Sequence, residues 1–439
     1  MSNEQKYNKY RIKYLQLIGG IFDGDDFARV RGIVPAIVPA IVPAKDKLEY
    51  YINIKRDLPF KEKLEKELKN NGYVEEYIKY PTPSLDNKHN AQFIFIDDRI
   101  SYKFLNKRDV EKYRTQFLNG LYINILYGDF IYNITQKGSI QKFFGETLKK
   151  YLAPWTILHT DKLNSELEQF SPKSDYIIIK AITSASGIGT SIFKCIDNYK
   201  KDIIDHINKN NEIILPNGIK FNSKEWIIED LINTSKINNR ISYMRVYVII
   251  VCLQGKQHKV YMTTKHPYFI SKTTEMDSEC NNVDPLKNKT IQECFDNDEG
   301  SHILLNGGSI GRTQRNGKIV EYELEKNIYY PKILPDNYKY DNIKKIDNQL
   351  IKIITTIFNY NNIKEIKIDR NIPNGFEIYG LDFSFTDEIN LILHEINARV
   401  GLNHFSPFIE GLLKILFNNN NNLDKYNLRE VDITRLHNL

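Results

Sequence analysis

Two apolar, β-rich stretches, residues 376–385 and 391–397, flank the polar run Thr386-Asp387-Glu388-Ile389-Asn390, a pattern that predicts a β-hairpin with its turn over that run. Side chains on a strand alternate faces, so Glu395 and Asn397 share one face, and so do Gly380 and Asp382. A turn centred between Glu388 and Ile389 sets Asp382 directly opposite Glu395, with the bare Gly380 leaving room beside it. Two carboxylates facing each other inside a sheet repel and cost desolvation unless they share a proton or a cation. Mg²⁺ is hard and prefers oxygen, and it sits on one or two carboxylates plus phosphate oxygens. Asp382, Glu395 and Asn397 are therefore the candidate metal ligands of a Mg-nucleotide site. The ordinary alternative is an antiparallel hairpin with acidic residues in water. The apolar run Leu391-Ile392-Leu393 just before Glu395 argues against it for the trio, though not for Asp382 alone.

Elsewhere the pattern changes with position. Tyr7, Tyr10, Tyr14 and Leu17 fall at helical spacing among Lys and Arg and end at Gly19-Gly20, predicting a short basic amphipathic helix. Residues 33–44 are IVPA three times over, and Pro35, Pro39 and Pro43 make this an extended linker. From Leu48 the pattern is βαβ-like, with a strand over 50–54, a helix over 59–69 stopped by Gly72, a strand over 92–97, and a further helix near 141–151. Strands follow at 176–180, 190–194, 225–232 and 243–253. Residues 273–300 read as a polar loop, and the asparagine run with the charged tail beyond Asn418 reads as poorly ordered. The division expected is a leader and linker over 1–46, an N-terminal subdomain over 47–170, a central one over 171–265, a C-terminal one over 266–418, and a tail over 419–439.

The 439 residues exceed a single typical core, and 41% hydrophobic content suffices to bury several subdomains. A net charge of +6 favours anionic partners, while the lack of a basic tract interleaved with aromatics argues against nucleic acid. Cys195, Cys252, Cys280 and Cys294 are scattered with no CxxC pairing, which points to a reducing compartment. No apolar run reaches the roughly 20 residues of a membrane span. A soluble, cytoplasmic monomer is expected.

Three more segments carry chemistry. Lys180 ends the strand YIIIK, and the small residues that follow, among them Ser186, Gly187 and Gly189, let backbone N–H groups approach phosphate oxygens. Alone this reads as a plain glycine hairpin with a salt-bridged lysine; coupled to the downstream trio, it reads as a nucleotide loop. In Glu225-Trp226-Ile227-Ile228-Glu229-Asp230-Leu231-Ile232 an apolar strand breaks into acidic residues, and the backbone from Glu229 to Ile232 suits an adenine edge. Arg245 lies in a bulky apolar strand and needs a partner, for which a phosphate or a structural carboxylate would serve equally.

The order of these parts resembles the ATP-grasp fold, and within it the tubulin-tyrosine-ligase-like family. The resemblance covers roughly residues 47–418 and rests on GFEIYGLDFSFTDEINLILHEINARVGL (375–402), SYMRVYVII (242–250), WIIEDLI (226–232), YIIIKAITSASGIG (176–189), KYLAPWTIL (150–158) and SHILLN (301–306). It implies an α/β chain with ATP between the central and C-terminal sheets. It also implies phosphate contacts from Lys137 and Lys180, Mg²⁺ on Asp382, Glu395 and Asn397, and charge stabilisation by Arg245. Arg399 would meet a substrate carboxylate or phosphate, and Lys265, Lys272 and His302 the acceptor. The activity implied is ATP-dependent ligation of an amino acid to an acidic peptide or protein tail such as tubulin's. A small-molecule kinase and an inactive nucleotide- or tubulin-binding scaffold are the competing readings. Ala181, Tyr243 and Ala398-Arg399-Val400-Gly401 depart from the family pattern, as does the loop, which lacks its second basic residue; these departures bear on the acceptor and leave the Mg-ATP set intact. The leader, Tyr/Lys-rich and ending in Gly-Gly, is similar to leaders in proteins of large DNA viruses.

Overall fold

The computed structural model describes residues 48–54, 58–75, 93–97, 122–123, 134, 138–182, 190–195, 197–209, 212–214, 220–232, 236–237, 240–253, 258–270, 312–315, 318–321, 340–359, 362, 374–386, 388–398, 402–417 and 422–434. Apart from Leu48, these lie in one compact unit, Glu49–Leu439. The expected leader helix, the IVPA linker, the 273–300 loop and the SHILLN segment lie outside the described residues.

The chain is mixed α/β with largely antiparallel sheets. Strand β1 (Leu48–Ile54) leads to helix α1 (Leu58–Asn70), β2 (Tyr73–Glu75), β3 (Phe93–Asp97) and β4 (Tyr122–Ile123). Helix α1 forms because Phe60, Leu64 and Leu68 recur every four residues and bury completely, and it stops at Gly72, whose φ of 85° few other residues adopt. Helix α2 (Ser139–Phe144), β5 (Trp155–His159), α3 (Leu163–Gln169), β6 (Tyr176–Ala181), β7 (Thr190–Lys194), α4 (Tyr199–Lys209), β8 (Glu212–Ile214), β9 (Lys220–Asn222) and β10 (Glu225–Asp230) follow. Then come β11 (Lys236–Ile237), the long β12 (Arg240–Leu253), β13 (Lys259–Thr263), β14 (Tyr268–Ile270), β15 (Arg312–Arg315), β16 (Lys318–Glu321) and α5 (Tyr340–Ile357). The hairpin β17 (Asn374–Phe385) and β18 (Leu391–Ala398), helix α6 (Ile409–Leu416) and β19 (Leu428–Val431) complete the described elements.

A large sheet runs β19-β13-β12-β17-β4-β3-β1-β2, with β18 also on β17 and with β11 and β14 also on β12. Its central pair, β12 and β17, is buried on both faces, which is why both strands read as apolar runs. Even-numbered residues of β12, such as Val246, Val248 and Ile250, join odd residues of β17 in a core under α5. Tyr247, Ile249 and Val251 join Phe376 and Ile378 in a second core under α1 and α6. That second core ends at one end of the two strands, where the same face continues as Tyr243 and Arg245 on β12 and Asp382 on β17.

A smaller antiparallel sheet runs β5-β10-β6-β7. One face is apolar: Ile177, Ile179, Ala181, Trp226 and Ile228 pack under α3 and α4. The other carries Lys180 and Glu229. Strand pairing thus gathers β5 with β6 and β10, and β12 with the β17–β18 hairpin.

The tail reads differently in the structure than in the sequence. Residues 428–431 pair with β13, from Val260↔Val431 to Thr263↔Leu428, and Leu428, Val431 and Ile433 are buried. The asparagine run masks this segment by composition, but Leu428 and Val431 follow it and find an open apolar strand edge to cover.

Candidate functional site

At the site the hairpin has the expected pairing, while beside the turn the strands pair one residue off it, so the turn centres on Glu388 and not between Glu388 and Ile389. Asp382 pairs with Glu395 and Gly380 with Asn397, and on its other side Asp382 pairs with Arg245 of β12. Three adjacent strands thus place Arg245, Asp382 and Glu395 in one row. Arg245 donates from Nε to Asp382 Oδ1 and from Nη2 to Asp382 Oδ2, both at 2.7 Å, a forked ion pair. Asn397 Nδ2 donates to Asp382 Oδ2 at 3.0 Å and to Glu395 Oε1 at 2.8 Å. The partner that Arg245 required is therefore a structural carboxylate, and the crowding of the two acids is relieved by a guanidinium and an amide. Burial, opposed by Arg245 and reinforced by Glu395, pushes the Asp382 carboxyl up to about 6, so it stays ionised at neutral pH. Burial works against the charge of Arg245, yet Asp382 outweighs it and holds the guanidinium well above its ordinary range. The ring of Tyr243 lies 5.9 Å from the guanidinium carbon, on the same face.

A feature that alternation alone does not show is the irregularity between Asp382 and Phe383. Phe383 pairs with Leu393, so His394 is an extra residue, a bulge, and bulges re-aim side chains. His394 Nε2 lies 2.7 Å from Ser384 Oγ. Burial first, and then the nearby Lys180, push its imidazole down to about 3, so it is neutral at physiological pH.

On the small sheet Lys180 pairs with Ile227, and Glu229 with Ile178, which places Lys180 and Glu229 on one face. Lys180 Nζ donates to Glu229 Oε2, and Gln141 Nε2 donates to Glu229 Oε1 at 2.7 Å. Gln141 comes from α2, which sits close because glycines flank it. A Cβ on Gly138 would lie 3.1 Å from Ile182 Cδ1, and one on Gly145 would lie 2.3 Å from Trp155 Cζ2. Sequence reasoning missed Gln141; its only signal was two glycines seven residues apart around a short apolar helix.

The segment Glu229 to Ile232 is placed, but its polar groups are engaged within the protein. Asp230 faces away from Lys180 and accepts from Lys173 N at 3.2 and 3.0 Å. Leu231 N donates to Tyr176 O at 2.9 Å, and Ser174 Oγ donates to Leu231 O at 2.7 Å. Ile232 is half-buried and continues the chain away from β10. Lys265 is exposed between β13 and β14. Lys137, Ser186, Gly187, Gly189, Lys272, His302 and Arg399 lie outside the described residues.

Asp382, Glu395 and Asn397 suit a hard divalent cation: two carboxylates and an amide converge, and their oxygen chemistry excludes a soft metal. Among the described residues no cluster of three or more His, Cys, Asp and Glu side chains forms a metal site, and the hairpin trio contributes two such side chains and one amide. The described residues also contain no helix long and apolar enough to cross a membrane.

No protein-family model matches the chain, and no curated protein matches it. Among solved structures, the chain is similar to the C-terminal domain of K. lactis Pby1, an ATP-grasp enzyme interacting with the mRNA decapping enzyme Dcp2. Identity is 13%, coverage is 84% of this chain and 94% of that one, and the TM-score is 0.47. A likeness at that score assigns neither fold family nor activity.

Proposed function

We propose that this chain is an ATP-dependent carboxylate–amine ligase of ATP-grasp, tubulin-tyrosine-ligase-like type, joining an amino acid to an acidic peptide or protein tail. The observation that carries the reading is the row Arg245–Asp382–Glu395 bridged by Asn397. Phosphoryl transfer needs positioning and charge neutralisation more than a covalent nucleophile, and these residues offer both. Asp382, Glu395 and Asn397 would hold Mg²⁺, which when bound neutralises phosphate charge and orients the phosphate for attack. Lys180 would leave Glu229 for a phosphate oxygen, with Gln141 retaining the Glu229 carboxylate. Lys137 and the backbone around Ser186, Gly187 and Gly189 would complete the phosphate cradle. The segment Glu229 to Ile232 would border the base, Arg245 would hold Asp382 ionised and aimed, and Arg399 would meet the carboxylate being activated.

A second reading, a nucleotide-binding scaffold without turnover, draws on one observation. Both donating arms of Arg245 toward the site end on Asp382, which ties its charge to the protein. Intact mass spectrometry of acidic test peptides and tubulin, incubated with the protein, ATP, Mg²⁺ and mixed amino acids, separates the readings. A gain of one residue mass, absent with Glu395→Gln, supports the ligase. Nucleotide binding with neither ADP nor product supports the scaffold, and ADP without amide points to a kinase.

A further inference from the structure

The turn between β17 and β18 is built against conformational preference. Ile389 adopts φ 61°, a left-handed conformation that disfavours a β-branched side chain. The turn is closed by Ile389 N to Thr386 O and Thr386 N to Asn390 O, both at 2.9 Å. What holds it there comes from α5. Gln349 Nε2 donates to Ile389 O at 3.0 Å, and Gln349 Oε1 accepts from Leu391 N at 3.0 Å, so one side-chain amide grips the backbone on both sides of Asn390. Lys345 Nζ donates to Glu388 O at 2.7 Å. The helix itself is immobilised by Ile346, Leu350 and Ile353, all fully buried.

This grip bears on the site because the hairpin holds two registers at once. Beside the turn Phe383 pairs with Leu393; at the site Asp382 pairs with Glu395, and the bulged His394 takes up the difference. Carrying the turn-side pairing through without a bulge would set Glu395 opposite Leu381 and point it at the core face, because a one-residue slip exchanges faces. Sliding the turn by one residue to match the site-side pairing would also abolish the bulge, at the cost of the bonds to α5; it would leave Glu395 opposite Asp382 but set His394 opposite Phe383, on the core face.

We propose that Gln349 is a positioning residue: by fixing the turn it preserves the bulge and thereby keeps His394, which meets Ser384, on the same face as the adjacent Glu395. Its consequence for ligand binding rests on the Mg-nucleotide reading above; its consequence for the hairpin does not. The test combines hydrogen exchange of the peptide over 391–397, without ligand, with ATP binding in the presence and absence of Mg²⁺, for wild type, Gln349→Met and Gln349→Met/Ile389→Gly. In Gln349→Met, exchange over 391–397 accelerates about tenfold or more, and ATP affinity falls about fivefold with Mg²⁺ while staying unchanged without it. Glycine accepts the left-handed turn, so the double variant recovers both. Unchanged exchange over 391–397 in Gln349→Met overturns the proposal, as does an affinity loss equal with and without Mg²⁺. A wild type that binds no ATP defeats the nucleotide reading, and the exchange arm still decides the role of Gln349. Should Gln349→Met not fold, Lys345→Met, which removes the Glu388 contact alone, gives the same pattern at smaller size, and an unchanged exchange rate there counts equally against the proposal.

Discussion

Among the described residues, two largely buried clusters share the same kinds of side chain in different surroundings. In the large sheet, Arg245, Asp382 and Asn397 form a cation, a carboxylate and an amide. In the small sheet, Lys180, Glu229 and Gln141 form another. The first is set by direct cross-strand pairing, its ion pair is only 4% and 3% exposed, and a second carboxylate, Glu395, leaves it with a surplus negative charge. The second is balanced, its ion pair is 14% and 8% exposed, and a helix closes it. Surplus negative charge suits a resident cation, whereas a balanced pair with a flexible lysine can open at little cost and offer that lysine to a phosphate. On the proposed ligase reading, similar parts would divide into a fixed anchor and a releasable arm.

The largest effect should come from breaking the anchor. Asp382→Ala removes the forked carboxylate partner of a buried guanidinium and should cost about 3–5 kcal/mol in urea denaturation, whereas Arg245→Met with Asp382→Leu should recover much of that. Glu395→Gln should leave stability within about 1 kcal/mol of wild type and lower Mg²⁺-dependent ATP turnover by about a hundredfold or more, which separates anchor from ligand. A comparable stability loss in both single variants would erase the distinction between the two carboxylates. At the releasable arm, Lys180→Met should cost about 1–3 kcal/mol, because Glu229 keeps its bond to Gln141, and Gln141→Leu about 1 kcal/mol. Losses there as large as at Asp382 would mean that the arm is as fixed as the anchor.

A smaller test uses pH. His266 is fully buried, and burial, aided by Arg429, pushes its imidazole down to about 3. Between the unfolded value near 6.5 and 3 the unfolded chain takes up a proton that the folded protein refuses, so this contribution is intact above pH 6.5 and is lost as pH falls, by about 1.4 kcal/mol per pH unit. His394 acts in the same direction. Asp382, raised to about 6, acts oppositely between pH 6 and 4, because the folded state there binds the extra proton. Denaturation midpoints should therefore fall between pH 6.5 and 5, less steeply in His266→Gln and His394→Gln, and more steeply in Asp382→Asn.

The sequence made the existence of the hairpin legible because alternation is local, but the turn centres on Glu388, half a residue from the expected point, and it is the bulge at His394 that sets Asp382 opposite Glu395. Strand alternation also placed Lys180 and the apolar run around Arg245. The partner of Arg245 was beyond reach, since pairing β12 with β17 joins residues separated by 137 positions, and composition alone cannot choose between a carboxylate and a phosphate. Residues Gln141 and Gln349 were invisible for another reason: each acts through a side-chain amide reaching across a helix–sheet contact, and a polar residue on an amphipathic helix ordinarily faces water. His394 escaped notice because strict alternation has no place for a bulge.

The tail strand has a consequence in time. Arg429 of β19 lies against Met262 of β13, 167 residues earlier in the chain. At about 5–20 residues per second of synthesis, β13 waits on the order of ten seconds or more before the strand that covers it leaves the ribosome. During that interval its edge, bearing Val260 and Met262, lacks β19 and is open to a chaperone or to a neighbouring chain.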